Sequence, residues 1–173
     1  MRKFVFIAAV ALLIAAVGCS VGAPPPPPPG TGPVVRVRTP TPTPANDEEG
    51  IKQLVNAEGE AVVQQDIDRL QGLWATDGVV TDANHTPDNP SDDKTWKLWA
   101  SIRDRYVNII FPSNPAYAEH PNIRVTISGD TATAIADTRI GITNLKDNDK
   151  WTLRKIDGQW KLTSLTFSLS PQK

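Results

Sequence analysis

Apolar residues in the middle of the chain recur first with the spacing of helices. One face of a first predicted helix carries Ile51, Leu54, Val55, Glu58, Ala61, Val62 and Gln65. Acidic residues at 47–49 favour a helix start there, because the helix dipole is positive at its N-terminus. Asp66 is suited to cap a second, short helix that ends at Asp77-Gly78, and residues 79–81 are predicted as a short strand.

A third helix is predicted to begin at Ser91, near the end of a polar loop, and to stop at Pro112. Ser91 is a suitable N-cap, and the two aspartates after it would lie in the positive first turn. The opposite side of this helix is polar and includes Arg105. Its apolar side carries Trp96, Trp99, Ile102, Tyr106, Ile109 and Ile110.

Beyond residue 115 the apolar positions alternate with the period of strands. A first alternating run, residues 123–127, is followed by a turn at Gly129-Asp130. The next strand is predicted to run for about a dozen residues, with Ala132, Ala134, Ala136, Thr138, Ile140 and Ile142 on one face. Residues 144–150 are predicted as a polar loop.

The last two strands flank Asp157-Gly158, a strong hairpin signal because both central residues of a type I′ turn need positive φ. The strand after this turn is apolar on both sides, so it needs other elements packed against it. Helices followed by about four long strands predict an α+β domain over residues 47–173, with about three N-terminal helices on one face of an antiparallel sheet.

The N-terminal segment is predicted to be a targeting signal rather than part of the folded domain. After Arg2 and Lys3, an apolar run of 14 residues from 4 to 17 is too short to span a bilayer and fits a signal peptide over residues 1–18. Residues 16–19, AVGC, resemble the lipobox of bacterial lipoproteins, with Ala16 where leucine is usual. The resemblance implies cleavage before Cys19, the only cysteine, and its lipidation. The alternative is an ordinary signal cleaved between residues 16 and 23.

Residues 19–46 form the predicted lipid-anchored linker, with proline runs that favour polyproline II. At ~3.1 Å per residue, the tract from 24 to 44 could extend about 65 Å as a spacer, although it could also dock a proline-binding module. The predicted location is the bacterial cell envelope, extracytoplasmic and held to the membrane by lipid. The net charge of −1 argues against a nucleic-acid partner.

Two motifs resemble the nuclear transport factor two-like superfamily in its SnoaL-like branch. They are DIDRLQGLWATDGVV at residues 66–80 and LRKIDGQWKL at 153–162. The resemblance implies a cone-shaped roll in which a strongly curved antiparallel sheet wraps helices and leaves a pocket at the wide end. It also implies dimers through the outer sheet face, and functions that range from isomerisation, cyclisation and dehydration to plain binding or assembly.

Candidate catalytic residues are Glu58, Tyr106 and Asp137. Glu58 interrupts an apolar stripe and could serve as a base in the pocket, or else lie at the rim or pair with an arginine. Asp137 could act with Tyr106, although a surface cross-strand ion network with Arg139 is the favoured explanation. The predicted pocket lining is Trp74, Trp99, Tyr106, Trp160 and Leu162, with core packing as the simpler role of the tryptophans.

Both histidines, His85 and His120, are expected in exposed loops, and their separation supports no metal site. SnoaL-like enzymes often carry a histidine shortly after the hairpin tryptophan, whereas residues 163–166 contain none, which counts against an acid/base role. No cofactor motif occurs, so no cofactor is expected.

The sequence therefore favours a membrane-tethered extracytoplasmic domain that binds a ligand or assembles with proteins, rather than an enzyme. Its expected partners are the membrane through the N-terminal lipid, a small apolar ligand and a second copy of the chain. One alternative is a small-molecule enzyme of isomerase or dehydratase type that uses a pocket carboxylate. Another is a structural envelope protein that dimerises through its sheet.

Overall fold

The computed structural model describes residues 43–171. The predicted signal peptide, Cys19 and nearly all of the linker lie outside these residues. The helices are α1 (Asp47–Gln64), α2 (Ile67–Leu73), α3 (Leu98–Arg105) and α4 (Phe111–Ser113), with a π-helical turn at Tyr106–Ile110 and a 3₁₀ turn at Pro90–Asp92. The strands are β1 (Trp74–Asp82), β2 (Lys94–Lys97), β3 (Ala118–Glu119), β4 (Arg124–Ser128), β5 (Thr131–Ile140), β6 (Thr143–Ile156) and β7 (Gln159–Phe167).

The seven strands form one curved sheet in the order β2-β1-β7-β6-β5-β3, with β4 also paired to β5. The helices pack on this sheet around a core that includes Ile51, Val55, Leu70, Ile102, Trp151 and Leu162. The α+β roll is confirmed, but the sheet is mixed rather than purely antiparallel, because β1 runs parallel to β7. Within residues 43–171, no helix combines the length and apolarity needed to cross a bilayer.

Local capping signals set the first two helices as predicted. The side chain of Asn46 accepts a hydrogen bond from the Glu49 amide at 2.9 Å, and α1 ends at Gln65, whose φ of 55° is left-handed. Asp66 then caps α2 by accepting from the Arg69 amide at 2.9 Å. The predicted end of the second helix, at Asp77-Gly78, is too late, because α2 ends at Leu73 and β1 begins at Trp74 instead of at residue 79.

The third helix begins at Leu98, not at Ser91. Residues 94–97 pair as β2 with residues 79–82 of β1, so Trp96 lies on a strand. The helix also does not stop at Pro112. In the π-helical turn the Phe111 amide donates to the Tyr106 carbonyl, and Pro112 falls in the first turn of α4, where no amide proton is required.

The predicted polar loop at 144–150 is part of β6. Residues 143–145 pair with 138–140 of β5, and after a bulge the pairing resumes at Asp149. The preceding strand ends at Ile140, so Ile142 lies fully exposed in the turn. The closing hairpin is confirmed: Ile156 pairs with Gln159, and the turn residues Asp157 and Gly158 have φ of 51° and 77°.

Gly59 of α1 permits the close approach of the β3 segment, which provides a test of the packing. A β-carbon at this position would meet the carbonyl oxygen of Ala118 far inside contact distance. We expect Gly59→Ala to lower the free energy of unfolding by about 1–3 kcal/mol, measured by urea denaturation. Gly72→Ala in α2, with no atom within 4 Å, is the control and should be neutral or stabilising. Equal effects of the two substitutions would contradict this packing.

Candidate active site

A cavity of about 280 Å³ lies between α1, the α3–π segment and strands β5 to β7. Its apolar lining includes Val62, Ile110, Ile140, Leu145, Leu165 and Phe167. Its polar lining includes Glu58, Arg105, Tyr106, His120, Asn148 and Asp149. The volume is slightly below the usual range for ligand pockets, ~300–1,000 Å³, so the cavity suits a molecule of about one ring.

His120 lies in the cavity wall between two carboxylates. Its Nε2 is 3.7 Å from Oε2 of Glu58, and its Nδ1 is 3.4 Å from Oδ2 of Asp149. All three residues are at most 5% exposed, so the prediction that His120 occupies an exposed loop is wrong. Its position could have been found from the sequence, because alternation after Tyr117 puts Ala118 and His120 on the same side of β3.

The two carboxylates favour the charged form of His120. Burial by itself lowers the pKa of this imidazole, but the interactions with Asp149 and Glu58 outweigh burial and raise the pKa to about 9. Both ring nitrogens lie beside a carboxylate oxygen, although among residues 43–171 neither contact meets strict hydrogen-bond geometry. The imidazole packs nearly perpendicular to the Trp151 ring system, with centroids 4.7 Å apart and an interplanar angle of 78°.

Glu58 faces the cavity and is held by Tyr106. The Tyr106 hydroxyl donates a hydrogen bond of 2.6 Å to Oε1 of Glu58 and accepts one of 3.2 Å from Nε1 of Trp74. Burial, followed by the charge of Glu58, raises the pKa of Tyr106 well above its ordinary value, so the phenol stays neutral and acts as a donor. The alternatives of a rim position or an arginine partner for Glu58 are therefore wrong.

Asn148 fixes the orientation of Asp149. Its Nδ2 lies 3.0 Å from Oδ1 of Asp149 and 3.1 Å from the Thr138 hydroxyl, and its Oδ1 accepts from the Ser170 amide at 3.1 Å. The carboxylate beside His120 is therefore supported by a second layer of hydrogen bonds. Residues that hold a functional group in this way determine how accurately it is placed.

Arg105 is also in the cavity wall, although the sequence placed it on an exposed helix side. It is 7% exposed, because it lies three residues after Ile102 and one before Tyr106 and so shares their inward face. Its guanidinium carbon is 4.6 Å from the ring centroid of Phe167 and 5.0 Å from that of Trp96. Burial lowers the pKa of Arg105 below its ordinary value, but the group stays charged.

The third catalytic candidate, Asp137, is outside the cavity. It neighbours Thr138 on β5, and because Thr138 lines the cavity, Asp137 points to the other face of the sheet. It accepts hydrogen bonds from the Asp147 amide and the Asn122 side chain, and these lower its pKa. The expected ion network with Arg139 is replaced by an Arg139 contact to Glu119 at 3.2 Å.

Only Tyr106 of the five predicted lining residues borders the cavity. Trp74 contacts the cavity only indirectly, through its hydrogen bond to the Tyr106 hydroxyl. Leu162 and Trp99 belong to the core packing, and Trp160 donates a hydrogen bond of 2.9 Å to Asp47 elsewhere in the domain. His85 does border the cavity and is half-buried, with Nδ1 2.6 Å from the Ser170 carbonyl oxygen. No group of three histidine, cysteine or carboxylate side chains in residues 43–171 is arranged to hold a metal.

Because the folded-state pKa of His120 lies above the ordinary value of 6.5, its charge stabilises the fold fully below pH 6.5, and this contribution is lost as the pH rises through about 9. The difference amounts to roughly 3 kcal/mol. We expect the destabilisation caused by His120→Gln, measured by urea denaturation, to be larger at pH 6 than at pH 9.5. An imidazole NMR titration of the wild-type chain gives the pKa directly. His85→Gln is the control, and a penalty for His120→Gln that is independent of pH would contradict the ion-pair assignment.

The sequence profile of the SnoaL-like domain matches residues 43–166. Two solved structures share the fold with TM-scores of 0.55: an NTF2-like protein with a cystatin-like fold from Novosphingobium aromaticivorans (21% identity, covering 69% of this chain and 79% of that one) and an NTF2-like superfamily protein from Salmonella enterica (14%, covering 71% and 89%). A putative NTF2-like dehydratase from Streptomyces avermitilis is similar too (TM-score 0.50, 23%, covering 72% and 95%). No curated protein matches the sequence significantly. This chain belongs to the SnoaL-like domain family.

Proposed function

We propose that the domain binds a small molecule in its cavity and transfers a proton on it, as an isomerase or dehydratase does. The observation that carries this proposal is the burial of His120 in the cavity wall between Glu58 and Asp149. Buried ion pairs add little to stability compared with apolar packing of the same volume. A cluster of perturbed ionisable groups in a cavity is therefore better explained by chemistry than by folding.

The geometry assigns complementary roles to these groups. The Glu58 carboxylate is the base that removes a proton from carbon, and the protonated His120 is the acid that donates from Nε2 to an oxygen of the substrate. Asp149 keeps the ring oriented and charged through Nδ1, and Tyr106 orients Glu58 through its hydroxyl. An acid and a base 3.7 Å apart can serve neighbouring atoms of one substrate, as enolisation or loss of water requires.

Hydrogen–deuterium exchange tests the proton transfer. The full chain is incubated in D₂O with a panel of single-ring ketones, and loss of the α-proton signals is followed by NMR. We expect Glu58→Gln and His120→Gln each to slow exchange by roughly 100-fold or more, the usual contribution of a general acid or base. Glu60→Gln, an exposed carboxylate on the same helix, is the matched control. Ketones that bind without exchanging would indicate a binding domain, and exchange unchanged in Glu58→Gln would remove Glu58 as the base.

We also propose that the domain is held outside the cytoplasmic membrane by a lipid on Cys19, with residues 20–46 as the spacer. The apolar run ending in AVGC supports this arrangement. We expect the chain to partition into detergent after lipidation, and Cys19→Ser to move it to the aqueous phase. In the wild type, globomycin should leave an uncleaved precursor. Normal processing under the drug, or unchanged partitioning of Cys19→Ser, would contradict the anchor.

A further inference from the structure

The guanidinium of Arg105 has no hydrogen-bond acceptor among residues 43–171. Within residues 43–171 it makes no hydrogen bond and no ion pair, and its Nε is fully buried without a partner. A guanidinium carries five N–H donors, and leaving the enclosed Nε–H donor of this cation unpaired is costly. The fold keeps this cation in the wall of the same cavity that contains Glu58 and His120.

The surroundings of Arg105 offset its charge but leave its donors free. The rings of Phe167 and Trp96 lie within cation–π distance, and aromatic faces stabilise a cation without supplying hydrogen-bond acceptors of ordinary strength. The carboxylates of Glu58, Asp82 and Asp149 are near enough to favour the charged form of Arg105, but none of them accepts a hydrogen bond from it. The two that line the cavity, Glu58 and Asp149, are engaged by His120 and by neutral donors. The acceptor that fits these vacant donors is therefore one that a ligand brings.

We propose that Arg105 binds the carboxylate of a small organic acid, so that the substrate of the proposed proton transfer is a carboxylic acid of about one ring. A planar guanidinium matches a carboxylate with two parallel hydrogen bonds. The apolar side chains of Val62, Ile140 and Leu165 line the cavity and would accept the hydrocarbon body. Inorganic phosphate lacks that body, so its binding is expected to be weaker.

This assignment rests on the proposed function for its cavity and adds the position of the substrate. With its carboxylate on Arg105, the remainder of the molecule extends towards Glu58 and His120, which border the same space. Arg105 then acts as a positioning and specificity residue, because it contacts the substrate away from the reacting atoms. The fixed end of the ligand would place its carbon–hydrogen bond beside the base.

The test compares acids with their neutral amides on the full chain. Benzoate, phenylacetate and cyclohexanecarboxylate are titrated beside the corresponding amides and inorganic phosphate, with calorimetry for the Kd and NMR for the Arg105 side-chain signals. We expect at least one acid to bind roughly ten- to hundred-fold more tightly than its amide, with a shift of the Arg105 Nε–H signal. Arg105→Met should abolish that preference, and Arg105→Lys should retain part of it. Arg103→Met, an exposed arginine on the same helix, should leave it intact.

The wild-type comparison decides the proposal even if Arg105→Met does not fold. If no acid of the panel binds more tightly than its amide, or if phosphate binds in their place, the proposal is overturned. It is also overturned if the preference survives in a folded Arg105→Met. A preference for acids without any α-proton exchange supports the anion site and counts only against the proton transfer. Exchange of neutral ketones without a preference for acids supports the proton transfer and contradicts the anion site.

Discussion

The charge contact of His120 with Glu58 and Asp149 is the interaction on which the arrangement of this domain depends. The three side chains come from α1, from the segment after β3 and from β6, and all are almost completely buried. Any one of them, buried as an ion without the others, would cost several kcal/mol. The fold is therefore stable only if it brings these three elements together, which gives the two-residue strand β3 a fixed place against α1.

Immediate sequence neighbours provide much of the positioning. Gly59 follows Glu58 and lets the Ala118 carbonyl approach the helix, so that His120 reaches the carboxylate. Asn148 precedes Asp149 and is itself held through Thr138 and the C-terminal segment. Each ionisable group thus lies beside a residue whose small size or hydrogen bonds fix the local backbone, a more accurate support than a distant contact would provide.

The sequence was sufficient wherever a local signal determines structure. The acidic residues at 47–49, the cap at Asp66 and the turn at Asp157-Gly158 act within a few residues. Together with periodicity they predicted α1, the start of α2 and the closing hairpin. The sequence-based predictions failed where pairing with a distant strand determines the local structure. Residues 94–97 are polar enough for a helix start, but the edge of β1 draws them into a strand. Residues 144–150 look like a loop because β6 carries polar side chains where it borders the cavity.

The inward orientation of polar side chains also explains why most of the site was not predicted. Predictions from periodicity assume that polar side chains point to solvent, whereas a polar-lined cavity turns charged residues inward along with the apolar ones. Arg105 and His120 are both buried, although Arg105 was assigned to the polar side of a helix and His120 to an exposed loop. Glu58 was recognised as a candidate because it interrupts an otherwise apolar stripe in the middle of a long helix.

The absence of a histidine at residues 163–166 is also weaker evidence about the cavity than the sequence analysis assumed. In a curved sheet that wraps one cavity, side chains from several strands point into the same space, so a catalytic group is defined by position in space and not by position in the chain. Here the imidazole enters from beside β3, which is separated from the hairpin strand β7 by the two strands β5 and β6. What distinguishes this histidine from one in a loop is the pair of carboxylates on either side of its ring, and that arrangement exists only once α1 and β6 have closed around it.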